Sequence, residues 1–526
     1  MTTPDTMRRE HCVEDNKRHL PWIIAALMLS MLMSSLGQMI FSTALPTIVG
    51  ELGGVDHMTW VISGFLVGQT VSLPIFGKLG DQIGRKGLFI FANVLFVVGS
   101  IIGGAAQSMG VLIIARVVQG VAGGGMQILS QAITAEVTTP RERGKYMGIM
   151  GSVFGVASVL GPVLGGWFTD GPGWRWGLWL NVPIGIAAII AIWILLRLPK
   201  KQASFQMDIW GTITMIIATT ALILTVTWGG NDYEWTSPTI LTLIAVTIVF
   251  GTAFVFIELR AAAPLVPMRV FKNRNFVLTT VAGFGIGIFM FGSLAYVPTY
   301  LQMVHALSPT NAGLMMITMM VGVMGTSIAV GNLVSRYGKY KWYPIVGLTI
   351  VTGALLLLST LTRETPLWQF GLYMFIFGFG IGCAMQILVL IVQNSFSVRE
   401  VGTVTAANNF FRQIGGSMGA ALVGGLFVDR LRSLMQERLP QAMQSLGDQA
   451  GEVMERFGGA GSNVASFVSN LTPQTVNSLP DVLRFAIQDS YNDALTPIFL
   501  LLAPLAALCT ILLLWITEDK LKETNS

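Results

Sequence analysis

Charge is scarce in this sequence of 526 residues: 11% are Asp, Glu, Lys or Arg, where a soluble domain carries about 25%. So little charge cannot cover a water-facing surface, which excludes a soluble fold. Cysteine is nearly absent; Cys12, Cys383 and Cys509 lie far apart, two of them inside apolar stretches, which excludes a disulfide framework and a thiolate metal site. The 4 histidines, His11, His19, His57 and His305, fall near the N-terminus or in predicted outer loops. With no Ser-His-Asp, metal-ligand or phosphate-loop constellation, no metal is expected and an enzyme is not. The absence with the widest consequence is that no Asp or Glu stands in the middle of any apolar run.

What is present is 53% hydrophobic residues gathered into runs long enough to cross about 30 Å of hydrocarbon at about 1.5 Å per residue. Fourteen such runs are predicted, at 21–45, 58–79, 86–107, 110–134, 144–168, 178–197, 208–228, 238–259, 276–299, 310–333, 342–361, 367–392, 403–428 and 495–517. The first follows Arg8, Arg9, Lys17 and Arg18 but exceeds signal-peptide length, so it reads as an uncleaved helix. An even number of spans puts both termini on one side. Most of the 32 Lys and Arg fall in segments on that side while the acids divide almost evenly, so the termini are expected to be cytoplasmic in a bacterial plasma membrane. The net charge of +5 is then a topology signal and no evidence of a nucleic-acid partner; the partners expected are the lipid bilayer and a small amphipathic substrate. One outer connection, 429–494, is long and polar; Asp429 to Arg456 has amphipathic helical character, interrupted by Gly458, Gly459 and Gly461.

The strings GKLGDQIGRK (77–86) and GNLVSRYGKY (331–340) share Gly, Leu, Gly and a basic residue at matching positions, each after the second span of a set of six. This weak repeat predicts an all-α integral membrane protein with two six-helix bundles and two inserted helices, a 6+2+6 plan: a tail 1–20, a bundle 21–197, the inserted pair 198–275, a bundle 276–517 and a tail 518–526. Repeated bundles enclosing a site suit secondary transporters that work by alternating access. GKLGDQIGRK resembles the signature loop of the major facilitator superfamily, and the fourteen spans point to its 14-helix drug:proton antiporters. ALPTIVGELGG (44–54), IARVVQG (114–120), GSVFGVASVLGPVLGG (151–166), WRWGLWLNVPIG (174–185), PLVPMRVF (264–271), TYLQMVHALSPTNAG (299–313) and FFRQIGGSMGAAL (410–422) resemble that family in order. The resemblance implies an exporter of amphipathic drugs with no cofactor and H⁺ as coupling ion, a cytoplasmic gate latch at Gly77, Asp81, Gly84, Arg85 and Lys86, and a role for Arg116 near proton coupling.

Helical periodicity adds the rest. In the fifth span Gly151, Gly155, Ser158, Gly161 and Gly165 share one arc, a groove for close helix approach, with a kink expected at Gly161-Pro162. In the fourth, Arg116, Gln119, Gln127 and Gln131 share a stripe that cannot face lipid. Similar stripes are Asn408, Asn409 and Arg412 in the thirteenth span, Ser34 and Gln38 in the first, and Gln386 and Gln393 in the twelfth. Together they predict a neutral-polar cavity holding two Arg, walled by Met and aromatics, with Met315, Met316, Met319, Met320 and Met324 as adaptable contacts.

The resembled family commonly carries an Asp in its first helix, where this chain has Gly37. If protons are coupled, Asp170 and Glu136 are the leading candidates to carry them, with Asp81 third. A cavity with Arg and no acid should favour neutral or anionic amphiphiles over dications. The chain is expected to act as a monomer; a lipid or lipid-precursor exporter and a transport-inactive membrane sensor remain the alternatives.

Overall fold

The computed structural model describes residues 4–52, 57–198, 206–230, 232–446, 473–518 and 521; the side chains of 4–17 and a few others, Pro162 and Asp170 among them, lie outside the description. The chain forms α1 (Pro4–Leu52), α2 (Met58–Ile83), α3 (Arg85–Gly104), α4 (Met109–Val137), α5 (Pro140–Asp170), the short α6 (Trp176–Trp179) and α7 (Asn181–Leu195). After these come α8 (Ile209–Trp228), α9 (Pro238–Arg260), α10 (Arg274–Val304), α11 (Pro309–Tyr337), α12 (Trp342–Leu358), α13 (Leu367–Asn394), α14 (Val401–Ser445), α15 (Pro473–Ser478) and α16 (Asp481–Leu513). Among the described residues 13 helical stretches are long and apolar enough to cross a membrane, and the shorter α12 supplies the fourteenth. The protein is a multi-pass membrane protein.

Local chemistry sets the helix starts. Thr139 and Glu142 form a reciprocal capping box at α5, with Pro140 in the first turn. Asp208, Ser237, Asn273 and Ser308 each accept a backbone N–H at the starts of α8, α9, α10 and α11. Gly84 separates α2 from α3 at φ 98°, a backbone that only glycine adopts without strain.

Helices α1 to α7 and α10 to α16 repeat one packing pattern: α2 on α4 and α11 on α13, α1 on α5 and α10 on α14, α3 on α7 and α12 on α16. The two sets meet along two seams, α5 against α11 and α2 against α14. The inserted α8 packs on α9 and lies against both α2 and α14. Outermost α9 buries only Ile240 and Glu258; Ile248, Val249 and Phe256 are at least 60% exposed, an arrangement stable only in lipid.

Helix ends differ from the sequence expectation where packing extends them. Helix α1 begins at Pro4, ahead of the apolar run, and the sixth span is broken between α6 and α7. Helix α14 continues without a break to Ser445, and α16 starts at Asp481, so much of the expected outer loop is helix. Met435, Leu439 and Ala442 on α14 bury against the same core as Leu483, Ile487 and Tyr491 on α16, and Arg438 pairs with Asp493 at 2.6 Å. Arg456, Gly458, Gly459 and Gly461 lie outside the described residues.

Candidate functional site

The face bearing the α2–α3 turn is closed along the α2–α14 seam by a charged cluster. Near the end of α2, Asp81 accepts from the backbone N–H of Gly402 at 3.1 Å and of Thr403 at 2.6 Å, and from the Thr403 hydroxyl at 2.9 Å. A carboxylate on the first turn of α14 neutralises orphan donors at the positive end of the helix. Arg85, only 2% exposed, donates to Asp81 and Glu136 at 2.8 Å each, to the Ala132 carbonyl at 3.0 Å, and across the seam to the Val398 carbonyl at 2.8 Å. Gly77 permits the contact, since a methyl group there would sit 2.4 Å from the Ala406 Cβ. Gly77, Asp81 and Arg85 therefore meet in one cluster where the sequence expectation put the latch, and Gly84 turns the chain between α2 and α3 beside it. Lys86 does not join the cluster: its Nζ donates to the Trp193 and Leu196 carbonyls and caps α7.

The second copy of the repeat closes the other seam by different chemistry. Ser335 stands where Asp81 has its carboxylate, and the partner is reversed: Arg141 at the start of α5 donates to the Ser335 carbonyl at 2.9 Å and the Arg336 carbonyl at 3.0 Å. Beside it, a methyl group at Gly148 would lie 2.2 Å from the Ser327 carbonyl oxygen.

Between the bundles lies a cavity of about 70 Å³ lined by α1, α2, α4, α5, α10, α13 and α14, well below the about 300–1,000 Å³ of a drug-sized site. This conformation is thus nearly shut around its centre. Ser34, Gln38, Gln127, Gln131, Gln386 and Arg412 line it, joined by Gln69 and Gln413, which the stripe argument did not single out. Asn409 adjoins the wall, donating to Gln131 at 2.7 Å and accepting from Arg412. The amide oxygens of Gln69 and Gln386 are buried with no partner among the described residues, so acceptors stand ready for a ligand donor. The lining contains no carboxylate.

Three expected cavity residues lie elsewhere. Gln119 bridges Arg116 and Ser100 inside the first bundle; Asn408 donates to Thr280 at 3.1 Å; Gln393 reaches Thr405 at 3.4 Å. The methionines of the cavity are Met31, Met150, Met290 and Met385, whereas Met316, Met319 and Met320 are buried in the second bundle's core. Arg116 also lies away from the cavity. Its guanidinium donates to the carbonyls of Gly37 and Val61 and to Gln119, and stacks at 4.2 Å on Phe41 and 4.3 Å on Phe65. Of the coupling candidates, Glu136 is paired with Arg85, and Asp170 closes α5 with its side chain outside the described residues.

The α5 glycines serve three neighbours rather than one groove. A methyl group at Gly151 would meet Gln386 at 2.7 Å, one at Gly161 the Met39 Cβ at 2.2 Å, and one at Gly155 only the Met320 carbonyl at 3.6 Å; Gly165 is buried. Pro162 lies outside the described side chains, and α5 runs through it as one helix.

Two pseudo-equivalent bundles, a charged cluster closing one face and a polar cavity between them define a polytopic membrane transporter. The profile of the Major Facilitator Superfamily matches residues 27–420, and the chain belongs to that superfamily. It is 35% identical over 490 residues to the multidrug transporter protein MdtP of Bacillus subtilis, covering 91% of this chain and 90% of that one. It is 30% identical over 504 residues to multidrug resistance protein 3 of the same organism, covering 96% of each. Among solved structures, the human organic anion transporter MFSD10 superposes with a TM-score of 0.58 at 16% identity, covering 92% of this chain and 99% of that one, a likeness of fold.

Proposed function

We propose that the protein is a secondary exporter of amphipathic compounds in a bacterial plasma membrane, acting as a monomer by alternating access with H⁺ as coupling ion. A cytoplasmic latch face is supported by Arg8, Arg9, Lys17 and Arg18, which stand on the opening turns of α1 at that side, at or ahead of the start of its apolar run. Similarity to the Bacillus multidrug proteins supports drugs as the substrate class.

One observation carries the substrate preference: the cavity lining has glutamines, methionines, Phe154, Phe291 and a single cation, Arg412, and no carboxylate. A dication entering it would be desolvated beside a guanidinium without a counter-charge, whereas a neutral or anionic amphiphile keeps its apolar part on Met and Phe and its polar part on the amides. Coupling fits the latch. Asp81 and Glu136 flank Arg85, so a proton arriving on either removes a charge-assisted bond and releases the closed face.

The test is reconstitution of the full chain in vesicles with an imposed pH gradient, followed by efflux of one neutral, one anionic and one dicationic amphiphile. Gradient-driven efflux that ranks the dication last is expected. A dication ranked first refutes the charge argument, and efflux indifferent to the pH gradient refutes proton coupling.

A further inference from the structure

The two seams between the bundles are alike near the latch and unlike beyond it. Along α5 and α11 the same helix faces can be followed outward. Gly148 and Gly331 face each other so closely that a methyl group at Gly148 would lie 3.3 Å from the Gly331 Cα. Gly166 stands about five turns beyond Gly148 on the same azimuth of α5, and Gly313 about five turns beyond Gly331 on the same azimuth of α11. A methyl group at either would meet nothing within 4 Å. Gly155, between them, already has ordinary contact distance to Met320. The α5–α11 seam therefore splits toward the far face, and its lips are apolar: Val163 is 50% exposed, Trp167 62% and Leu314 47%.

The α2–α14 seam is covered over the same depth by the inserted hairpin. Val71 of α2, Met215 of α8, Leu265 and Phe410 of α14 share one buried cluster, with Phe254 of α9 packed against it. At the far end Trp60 of α2 meets Trp228 of α8 edge to face at 4.9 Å, Thr59 donates to Asp232 at 3.0 Å, and the Trp235 indole nitrogen stands 4.0 Å from a methyl group placed on Gly425 of α14. One hairpin thus touches both walls of this seam and fills the space between them.

We propose that amphiphiles dissolved in the membrane exchange with the central cavity through the far half of the α5–α11 seam, and that the α8–α9 hairpin closes the α2–α14 seam to them. The proposal rests on the exporter reading for its substrate. Its physical basis is separate: a lipid-facing split lined by exposed apolar side chains is wetted by acyl chains and lipophilic solutes, whereas a seam packed with aromatic and aliphatic side chains has no room for either. The cavity reaches α5 through Met150, Gly151 and Phe154, so a solute entering by this seam arrives at the cavity wall.

The test uses the full chain, with Cys12 changed to Ser, in phosphatidylcholine vesicles whose acyl chains are brominated. A bimane fluorophore is attached at Phe154→Cys on the α5 wall or at Gln413→Cys on the α14 wall. Strong bromine quenching is expected at the first and little at the second. Gly313→Trp, or the smaller Gly313→Leu, should protect the first, and a hairpin opened by Trp228→Ala with Trp235→Ala should expose the second. Equal quenching at both positions, or stronger quenching at the α14 wall, overturns the proposal. In parallel, efflux of the neutral membrane probe 1-N-phenylnaphthylamine should fall several-fold in Gly166→Trp and in Gly313→Trp; unchanged efflux in both also overturns it. If the unmodified chain moves no probe while the quenching stays one-sided, the exporter reading fails and the seam assignment stands.

Discussion

Arg116 donates a 3.1 Å hydrogen bond to the backbone carbonyl of Gly37, the residue that stands where the family resemblance leads one to expect an Asp. The guanidinium is held by carbonyls, Gln119 and two phenylalanine faces, all within the first bundle. Arg412, by contrast, lines the cavity. The two arginines that look equivalent in sequence are therefore expected to fail differently. Arg116→Met strands buried acceptors and should cost about 1–3 kcal/mol of stability with the charge ranking of substrates unchanged. Arg412→Gln should raise transport of a monocation relative to an anion at nearly unaltered melting temperature. Thermal unfolding in detergent and efflux of a matched pair of probes measure both.

Asp81→Asn keeps the shape of the latch and removes its charge. Breaking a buried pair of this kind costs about 3–5 kcal/mol at full burial, and Asp81 also loses its charged contacts with the first turn of α14. The equilibrium should shift toward an open latch face. Maleimide labelling of a cysteine at Gln131 is expected to speed up from the latch side; labelling as slow as in the parent would show that the latch does not hold this face.

Two glycine-to-alanine changes form a matched pair. At Gly148 the new methyl group would lie 2.2 Å from a backbone carbonyl across the α5–α11 seam, so closing the latch face should be impeded. At Gly87, within α3, nothing lies within 4 Å, and the substitution should stabilise by up to about 1 kcal/mol through helix propensity. Melting temperatures and latch-side labelling should move in opposite directions for the two.

His305, at the end of α10 on the far face, has its pKa lowered by burial, and its Nε2 has no partner among the described residues. Because the fold holds the imidazole below its ordinary range, the unfolded chain binds the proton first as pH falls. Stability is therefore complete above the ordinary imidazole range and declines as pH drops through it. His305→Asn should flatten the dependence of melting temperature between about pH 8 and 5; an unchanged slope would assign it to another group.

Glu51 gives the opposite case on the same face. Hydrogen bonds from Arg175 and Trp174 lower its pKa below the ordinary carboxylate range. Its contribution is present above that range and lost as pH falls through the lowered value. The parent and Glu51→Gln should therefore differ in melting temperature near neutrality and converge in acid.

Span number, the latch string and the polar stripes were legible because each is local: apolar runs, a glycine-interrupted loop, and side chains repeating every few residues along one helix. The stripes of α4 and α14 correctly marked faces that avoid lipid, and Gln131, Asn409 and Arg412 do meet between the bundles. The same stripes placed Arg116 and Gln119 in the cavity, because periodicity says that a face is buried and is silent on which neighbour buries it. Lys86 illustrates this at closer range: one position beyond Arg85, it points to α7 instead of across the seam.

By itself the sequence determined that the protein lives in a membrane, crosses it fourteen times and has almost no charge to spend inside it, since hydropathy, glycine breaks and helix caps act over a few residues. Only the tertiary structure decided that Gly37 meets Arg116, that the cavity has one cation and no acid, and that the inserted hairpin covers one seam and leaves the other split. Those depend on contacts between residues far apart in the chain, where packing and burial choose the partner.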